Sequence, residues 1–482
     1  MTALRARQEH ISACIDETAD AGGEERKMRD IRVALWGFGA MGSGIGRMIA
    51  SKKGLVISGV CDKWDRLVGQ EVYAYLGVDR EGRKPVVITD REEEIVRRDL
   101  CDIVILATDS FVEAQYEKIM FCLDRGVHVI STAEEMAWPW AQNEELADKI
   151  DMAARKRGVA ILGTGINPGF VLDSLILAVS GTCEHVHSIE AARINDLAPF
   201  GKAVMVEQGV GISVEEFEKR MAEKSLAGHV GFPESIGMIA AGMGVHLTEV
   251  EQTRDPIITH VDRKSAYGEA KKGHLAGIRQ QSYGKTADGE VFIHLDHPQQ
   301  ICPEDEGVHT GDYITIHADG YDMNVSIVPE TPGGIGTIAM VVNMIPHVLA
   351  AEPGLRSMLD LPVPRCILGN YADQVRRARK HRYLRGDLVS IETVILPVGE
   401  RAPQVPEDTK KTPLLAFTKG FLQEESALTG DIVNVKTMSG RQVKGKLADR
   451  PMAPTHTFGD FVPELLAVHK QVCDVLFGGE SK

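Results

Sequence analysis

The sequence predicts an α/β fold in which a doubly wound parallel sheet precedes an α+β domain and a small β-rich domain. The first observation is an alternation of β-rich runs and helical patterns between Ile31 and Leu162. The second is a Gly-x-Gly-x-x-Gly turn, Gly37–Gly42, directly after the first β-rich run. The third is a change near Val186 to short strands separated by turns that contain Gly and Pro.

Each predicted element follows from its own residue pattern. Strands of the first sheet are expected at Ile31–Trp36, Leu55–Val60, Asp102–Ala107, Val127–Ser131 and Val159–Leu162, with helices near 112–125 and 143–157. Right-handed crossovers should make these strands parallel. Further strands are expected at Ile189–Ile194, Ile257–Val261, Gly289–Leu295, Tyr313–His317 and Asn324–Val328, followed by an apolar helix, Thr337–Ala350, that returns to the first domain.

The glycine turn lies between a strand and a helix, which is the context that favours binding of a nicotinamide dinucleotide in a Rossmann domain. Asp62 follows the second strand about 20 residues beyond Gly42, where a carboxylate can bind the adenosine ribose. Asp62 favours NAD, whereas Lys63 and Arg66 leave use of NADP open. The expected cofactor-binding residues are Gly37, Phe38, Gly39, Ala40, Met41, Gly42, Asp62, Ala107, Thr108, Gly163 and Gly165.

A second turn, Gly163–Phe170, joins the last strand of this sheet to a helix expected at Val171–Val179. Because the carboxyl ends of parallel strands face the ligand cleft, Asn167 is expected near the nicotinamide carboxamide and the substrate. The alternative is an ordinary helix start with Pro168 at its first position.

Polar loops of the second domain supply the candidates for substrate chemistry. His229 is the candidate general acid or base because imidazole titrates near neutral pH, although most of the 16 histidines must be structural or solvated. Carboxylates that could bind a substrate ammonium are Glu134, Glu135, Asp196 and Glu234. A substrate carboxylate could be bound by Arg193 or Lys202, and the bidentate fork favours arginine.

Bulk properties narrow the class of protein. The chain has 482 residues and a formal net charge of -15, which argues against a nucleic-acid partner. None of the eight cysteines forms a Cys-x-x-Cys pair, so neither a disulfide framework nor a metal site is expected. The apolar runs are too short or too polar for a membrane span, and the acidic residues near the N-terminus argue against a targeting peptide, so a cytoplasmic protein is expected.

The expected organisation has six parts. They are an N-terminal extension (1–30), the dinucleotide-binding Rossmann domain (31–165), the substrate or dimerisation domain (166–330), the returning helix (331–365), a linker (366–385) that is basic near 374–382, and a C-terminal β-barrel-like domain (386–482). A homo-oligomer, a dimer or larger, is expected.

Five segments together resemble the 2,4-diaminopentanoate dehydrogenase family, a distant relative of dihydrodipicolinate reductase. They are Gly37–Gly42, Ser131–Glu135, Gly163–Phe170, Gly228–Ser235 and Val342–Pro346. The resemblance implies NAD(P)-dependent oxidative deamination at C4 of 2,4-diaminopentanoate, which gives 2-amino-4-oxopentanoate and ammonia. The reductase's own signature, a His-His pair with a following Lys and a Ser-Gly-Thr turn, is missing.

The C-terminal part resembles the α subunit of 2-amino-4-ketopentanoate thiolase, which acts on that product. The segments that carry this resemblance are Glu400–Lys411, Lys419–Phe421, Gly440–Lys446 and Thr455–Gly459. The resemblance implies a fusion protein and a partner, a larger β subunit that carries pyridoxal phosphate and that this chain does not contain.

These observations lead to a mechanistic hypothesis. His229 is expected to act as the base or to activate water, helped by Glu234, while Asn167 orients the carboxamide or the amine. Glu134, Arg193 and Asp196 are expected to anchor the amino-acid end. Two alternatives stay open: a dehydrogenase of another diamino acid such as diaminopimelate, and a scaffold for the thiolase β subunit.

Overall fold

The structure is a computed structural model that describes residues 29–226, 228–378 and 382–448. The chain divides into two compact units, Met1–Arg379 and Lys380–Lys482. Nearly all of the expected N-terminal extension, and the thiolase-like segment Thr455–Gly459, lie outside the described residues.

The first unit contains an extended series of strands and helices. Its strands are β1 Ile31–Trp36, β2 Leu55–Cys61, β3 Ile88–Thr89, β4 Ile103–Leu106, β5 His128–Ser131, β6 Ala160–Gly163, β7 Val186–Asp196, β8 Glu249–Ile258, β9 Arg263–Lys264, β10 Glu269–Ala270, β11 Leu275–Lys285, β12 Val291–Gln300, β13 Gly311–Ala318, β14 Tyr321–Ile327 and β15 Gly354–Arg356. Its α-helices are α1 Ala40–Ser51, α2 Val72–Leu76, α3 Val112–Asp124, α4 Glu144–Arg157, α5 Ser174–Ser180, α6 Lys202–Glu207, α7 Val214–Ala222, α8 Phe232–Met243, α9 Gly333–Ala350 and α10 Tyr371–Ala378. Short 3-10 helices lie at Glu92–Glu94, Glu134–Ala137, Pro139–Ala141 and Pro303–Glu306.

The first sheet is parallel and has the strand order β15-β6-β5-β4-β1-β2-β3. Its central strands are apolar because helices cover both faces, so that buried residues such as Val33 and Val104 belong to different clusters on either side. The chain order reverses between β1 and β4, which is where an open α/β sheet forms its ligand crevice. The predicted doubly wound sheet is confirmed.

The second sheet has the order β14-β13-β7-β12-β11-β8 and is mixed, since β7 and β12 run parallel while the other neighbours are antiparallel. Apolar residues alternate along its strands, and Ile189, Leu295 and Ile316 pack with Ile236 of α8 in one cluster. The predicted strands are present with shifted bounds. The strand β11 was not predicted because its inward-facing residues include glutamine and serine, which break the apolar alternation.

Helix α9 returns from the second domain to the parallel sheet, as predicted. Val341, Met344 and Ile345 are fully buried in the cluster that also contains Val33 and Ile45. The helix is long and apolar enough to cross a membrane, yet more than half of it is buried within the protein. Its apolar composition therefore serves packing between the two domains.

Two expectations about local structure were wrong. Helix α5 begins at Ser174 rather than Val171, because the carboxylate of Asp173 caps it by accepting a hydrogen bond from the Ser174 amide. The basic stretch 374–382, for which the sequence favours a solvated helix or a linker, overlaps helix α10. That helix is not fully solvated, because Tyr371, Ala372 and Val375 are buried in the core of the first unit. The amphipathic pattern of that helix, and not its basic charge, decides its position.

The second unit is built on antiparallel strands. They are β16 Arg382–Leu384, β17 Leu388–Leu396, β18 Leu414–Leu422, β19 Ser426–Leu428, β20 Ile432–Lys436 and β21 Gln442–Ala448, with a short helix α11 at Glu407–Lys410. Strands β17, β18, β20 and β21 each pair with two of the others, so their hydrogen bonds form a closed ring. Val389, Ile391 and Val435 are buried between them.

An ion pair inside the second sheet joins three parts of the first unit. The guanidinium of Arg193 on β7 binds the carboxylate of Asp312 on β13, and both side chains are almost completely buried. Arg193 Nη2 also donates to the Thr331 carbonyl oxygen at 2.6 Å, and the Thr331 amide donates to Asp312 at 2.8 Å. The pair therefore fixes the chain at the point where it leaves the sheet for α9.

We expect Asp312→Asn to lower the free energy of unfolding by about 3–5 kcal/mol, because it leaves a buried guanidinium without its counter-charge. All four tryptophans lie in the first unit, so their fluorescence during urea denaturation reports on that unit alone. The matched control is Asp296→Asn, whose partner Arg279 is half exposed. This control substitution should lower the free energy of unfolding by about 1 kcal/mol or less. Equal effects of the two substitutions would contradict the prediction.

Candidate active site at the carboxyl edge of the parallel sheet

The glycine turn between β1 and α1 presents its backbone to open space. Gly37 has a φ of +94°, and a β-carbon there would collide with the backbone of Ala107 at the end of β4. A β-carbon on Gly39 would meet nothing within 4 Å. Gly39 also begins α1 without a side-chain cap, and the first turn contains no acidic residue. The first amides of this 12-residue helix are therefore available to an anionic group.

Asp62 lies beside the same turn, directly after β2. Its carboxylate accepts hydrogen bonds from the Phe38 amide at 2.6 Å and the Trp64 amide at 2.9 Å. The guanidinium of Arg66 stacks over the Trp64 ring, 3.8 Å from the ring centroid. A carboxylate thus lies at the position that a ribose would approach, with an arginine nearby.

The residues fit a dinucleotide on three counts. The turn offers uncapped amides, the space in front of Gly39 is open, and Asp62 adjoins the turn. Thr108 also contacts this turn, since a β-carbon on Gly37 would lie 3.0 Å from its methyl group. These residues would hold the pyrophosphate and the adenosine ribose.

The turn after β6 places a polar amide at the next carboxyl end of the sheet. The Asn167-Pro168 peptide bond is cis, and both amide atoms of the Asn167 side chain are buried without a hydrogen-bond partner among the described residues. Burying such a group costs free energy unless a ligand completes its hydrogen bonds. The Ile166 amide donates to Thr337 Oγ1 at 3.2 Å, which ties this turn to the start of α9.

Asp173 joins this turn to α8. Its carboxylate accepts hydrogen bonds from the Gly169 amide at 2.6 Å and from Ser235 Oγ at 3.0 Å, and its side chain is fully buried. Burial raises the pKa of Asp173, whereas these hydrogen bonds lower it and leave a net increase. Gly231, which precedes α8, lies against Pro168. The two loops therefore form one packed surface.

A buried carboxyl group lies at this surface. Glu234, in the first turn of α8, is completely buried; its Oε1 accepts a hydrogen bond from Gln142 at 2.8 Å, while its Oε2 has no partner among the described residues. Burial raises the pKa of Glu234 to about 7, and the charge of Glu135 adds to the increase. Burial also raises the pKa of Glu134, which follows β5.

His229 lies in the loop before α8 with its ring against two others. Its ring centroid is 4.9 Å from that of His297 and 5.1 Å from that of Phe232, both in edge-to-face contact. Burial, together with the charges of Arg193 and Arg254, lowers the pKa of His229 to about 3. The imidazole is therefore neutral near pH 7, and its buried Nε2 has no partner among the described residues.

Three of the residues predicted to contact substrate have structural partners instead. Arg193 is paired with Asp312 and Thr331 as described above. The carboxylate of Asp196 accepts hydrogen bonds from the amides of Ala198 and Cys302 at 2.8 and 2.9 Å. Glu135 caps α3 by accepting a hydrogen bond from the Val112 amide at 2.8 Å. Their local roles explain why these side chains are polar.

Several residues of the site were not singled out from the sequence. His297 and Gln280 face inward from β12 and β11, and Asp173 precedes α5. For His297 a signal was present, because Ile293 and Leu295 precede it at the same inward-facing spacing. Gln280 gave no such signal, since the strand that carries it was not predicted.

Comparisons with known proteins match two regions of the chain to two families. Residues 170–377 match the family model described as 2,4-diaminopentanoate dehydrogenase C-terminal domain, and residues 382–476 match AKP thiolase subunit OrtA. The chain is 48% identical over 354 residues to 2,4-diaminopentanoate dehydrogenase of Acetoanaerobium sticklandii, covering 73% of this chain and 99% of that protein. It is also 48% identical over 97 residues to the 2-amino-4-ketopentanoate thiolase alpha subunit of that organism, covering 20% of this chain and 95% of the subunit.

A solved amine dehydrogenase from Mycobacterium smegmatis has the same fold over 70% of this chain and 98% of its own, with 25% identity and a TM-score of 0.62. The predicted resemblances are thus confirmed in two separate regions of one chain. The chain belongs to the 2,4-diaminopentanoate dehydrogenase family, with a C-terminal domain of the thiolase alpha-subunit family.

Proposed function

We propose that this protein catalyses the NAD(P)-dependent oxidative deamination of 2,4-diaminopentanoate to 2-amino-4-oxopentanoate and ammonia, in the cytoplasm and as a homo-oligomer. The observation that carries the proposal is the group of buried polar atoms without partners on Asn167, His229 and Glu234. Asn167 lies in the turn after β6, His229 in the loop before α8 and Glu234 in the first turn of α8. These segments pack together, since Gly231 lies against Pro168 and Ser235 donates a hydrogen bond to Asp173. The 48% identity with a 2,4-diaminopentanoate dehydrogenase supports the choice of substrate.

The reaction requires a neutral amine at C4, because an ammonium cannot release a hydride from the same carbon. When bound, NAD or NADP would supply the hydride acceptor. Loss of a hydride from the neutral amine gives the protonated ketimine, which water hydrolyses to the ketone and ammonia, released as ammonium. The base must be ionised near neutral pH, and Glu234, with a pKa of about 7, meets this condition. Its free Oε2 would accept the proton of the C4 ammonium.

The low pKa of His229 changes the role expected from the sequence. A group that holds a proton only below about pH 3 is a poor general base at pH 7. As a neutral imidazole, His229 would instead orient the amine or the attacking water through Nε2. Asn167 would bind the nicotinamide carboxamide or the amine, and Glu134 would bind the second ammonium of the substrate.

The C-terminal domain supports a second, separate activity. The relatives of this domain are named as alpha subunits of 2-amino-4-ketopentanoate thiolase, which implies association with a thiolase beta subunit. We propose that the partner is a pyridoxal-phosphate enzyme that cleaves the dehydrogenase product with coenzyme A. Under the alternative of a scaffold without dehydrogenase activity, the polar site described above would have no use.

The first experiment measures reduced nicotinamide formed from NAD or NADP with 2,4-diaminopentanoate, diaminopimelate, ornithine and lysine in parallel. We expect rapid reduction with 2,4-diaminopentanoate alone, because the relative that the chain matches over 99% of its length is a 2,4-diaminopentanoate dehydrogenase. Turnover of only another amino acid would contradict the substrate and leave the fold and cofactor unaffected. Cofactor binding without turnover of any of the four would favour the scaffold.

We expect Glu234→Gln to lower kcat about 10²–10⁴-fold, because the amide cannot accept the proton. In the unsubstituted protein, ionisation of Glu234 should make kcat/KM rise with pH through about 7, and the variant should lose this limb. Glu145→Gln is the control, because Glu145 is an exposed partner of Lys149 on α4. If Glu134→Gln abolished turnover and Glu234→Gln did not, Glu134 would be the base.

For the C-terminal domain, we expect coenzyme A-dependent cleavage of 2-amino-4-oxopentanoate only when the chain is mixed with a pyridoxal-phosphate beta subunit of this thiolase. Formation of acetyl-CoA is the readout, and co-elution on size-exclusion chromatography shows the assembly. The control is the beta subunit alone. No co-elution and no cleavage would reject the partnership without affecting the dehydrogenase.

A further inference from the structure

Buried and half-buried polar side chains extend across five neighbouring strands on the inner face of the second sheet. The β-ladders place Arg254 opposite Gln280, Gln280 opposite His297, and Arg193 opposite Asp312. His297 Nδ1 lies 2.6 Å from the Arg193 carbonyl oxygen, which completes the connection across β12 and β7. Five neighbouring strands thus contribute one polar residue each, which we call the polar row: Arg254, Gln280, His297, Arg193 and Asp312.

The loop that carries His229 lies directly on the polar row. The His229 amide donates to Gln280 Oε1 at 2.8 Å, and Gln280 Nε2 donates back to the His229 carbonyl oxygen at 3.0 Å. The His229 ring meets the His297 ring edge to face. The polar row is therefore the floor beneath the proposed catalytic surface.

The two arginines of the row differ in their charge balance. Arg193 is neutralised by Asp312. Arg254 Nε donates only to the amide oxygen of Gln280, at 3.2 Å, and among the described residues no carboxylate forms an ion pair with Arg254. Burial lowers the pKa of Arg254, without an opposing contribution from an acid. A half-buried cation without a counter-charge is costly, and an anionic ligand would remove that cost.

Arg254 passes immediately beneath the residue that precedes His229. A β-carbon on Gly228 would lie 2.8 Å from Arg254 Nε and 3.3 Å from its Cδ. Only a residue without a side chain allows the loop and the arginine to approach this closely. The charge of Arg254 also contributes to the lowered pKa of the His229 imidazole. The guanidinium and the imidazole therefore share one environment.

We propose that Arg254 binds the carboxylate of the amino-acid substrate, the role that the sequence had given to Arg193. This inference rests on the proposed function, since it presupposes a substrate with a carboxylate. A guanidinium can hold a carboxylate through two parallel hydrogen bonds, which fixes direction as well as charge. Arg254 would thereby distinguish amino-acid substrates from amines that lack a carboxylate. It would also direct the C4 amine of the substrate towards the catalytic surface.

The test compares the protein with its Arg254→Gln variant on two substrates, 2,4-diaminopentanoate and 2,4-diaminopentane, which lacks the carboxylate. We expect the variant to raise KM for the amino acid about 10²-fold with little change in kcat, and to leave KM for the diamine unchanged. Arg254→Lys should restore part of the affinity, because it keeps the charge but loses the fork. Arg279→Gln, which removes an arginine from the opposite face of the neighbouring strand, should affect neither substrate.

A binding measurement keeps the two proposals distinguishable. Pentanoate, a carboxylate without an amine, should bind the cofactor-loaded protein in calorimetry and bind the Arg254→Gln variant at least about tenfold more weakly. Equal binding of pentanoate, or an equal rise of KM for both substrates, would overturn the role of Arg254. Loss of pentanoate binding in the variant, together with no turnover of 2,4-diaminopentanoate by the unsubstituted protein, would support the role and reject only the proposed function.

Discussion

The buried ion pair between Arg193 and Asp312 is the constraint on which the rest of the site depends. It joins two strands of the second sheet and holds Thr331, from which the chain leaves for α9. Helix α9 in turn packs against the Rossmann sheet, and Thr337 Oγ1 of this helix accepts a hydrogen bond from the Ile166 amide. A single pair of opposite charges therefore connects the second sheet, through α9, with the turn that carries Asn167.

The second feature of the site is a set of buried polar atoms that have no hydrogen-bond partner among the described residues. Most polar groups inside a protein have partners, yet Asn167, His229 and Glu234 each keep at least one buried atom without one among the described residues. Burial shifts the pKa values of Glu234 and His229 in opposite directions, because it disfavours the charged form of each group. The charged form is the deprotonated one for Glu234 and the protonated one for His229. Glu234 gains a pKa suited to proton transfer at neutral pH, and His229 becomes a neutral hydrogen-bonding group.

The two units of the chain resemble two different enzymes. The relative of the first unit is named for a dehydrogenase of 2,4-diaminopentanoate, and the relative of the second for a thiolase subunit that acts on 2-amino-4-ketopentanoate. The closed ring of strands in the second unit has its own buried cluster. Each unit can therefore be understood from its own core, and the fusion joins two folded parts.

The sequence by itself determined the Rossmann sheet, its glycine turn, Asp62 and the two family resemblances, because these depend on residues close together in the chain. It also singled out Asn167, His229 and Glu234, since unusual polar residues in turns stand out locally. It did not determine which arginine lacks a counter-charge among the described residues. Arg193 and Arg254 look alike in sequence, and only the pairing of β7 with β13 brings Asp312 to Arg193. It gave no sign of Gln280 beneath His229 or of the pKa values, because burial and long-range contacts arise only when distant segments pack together.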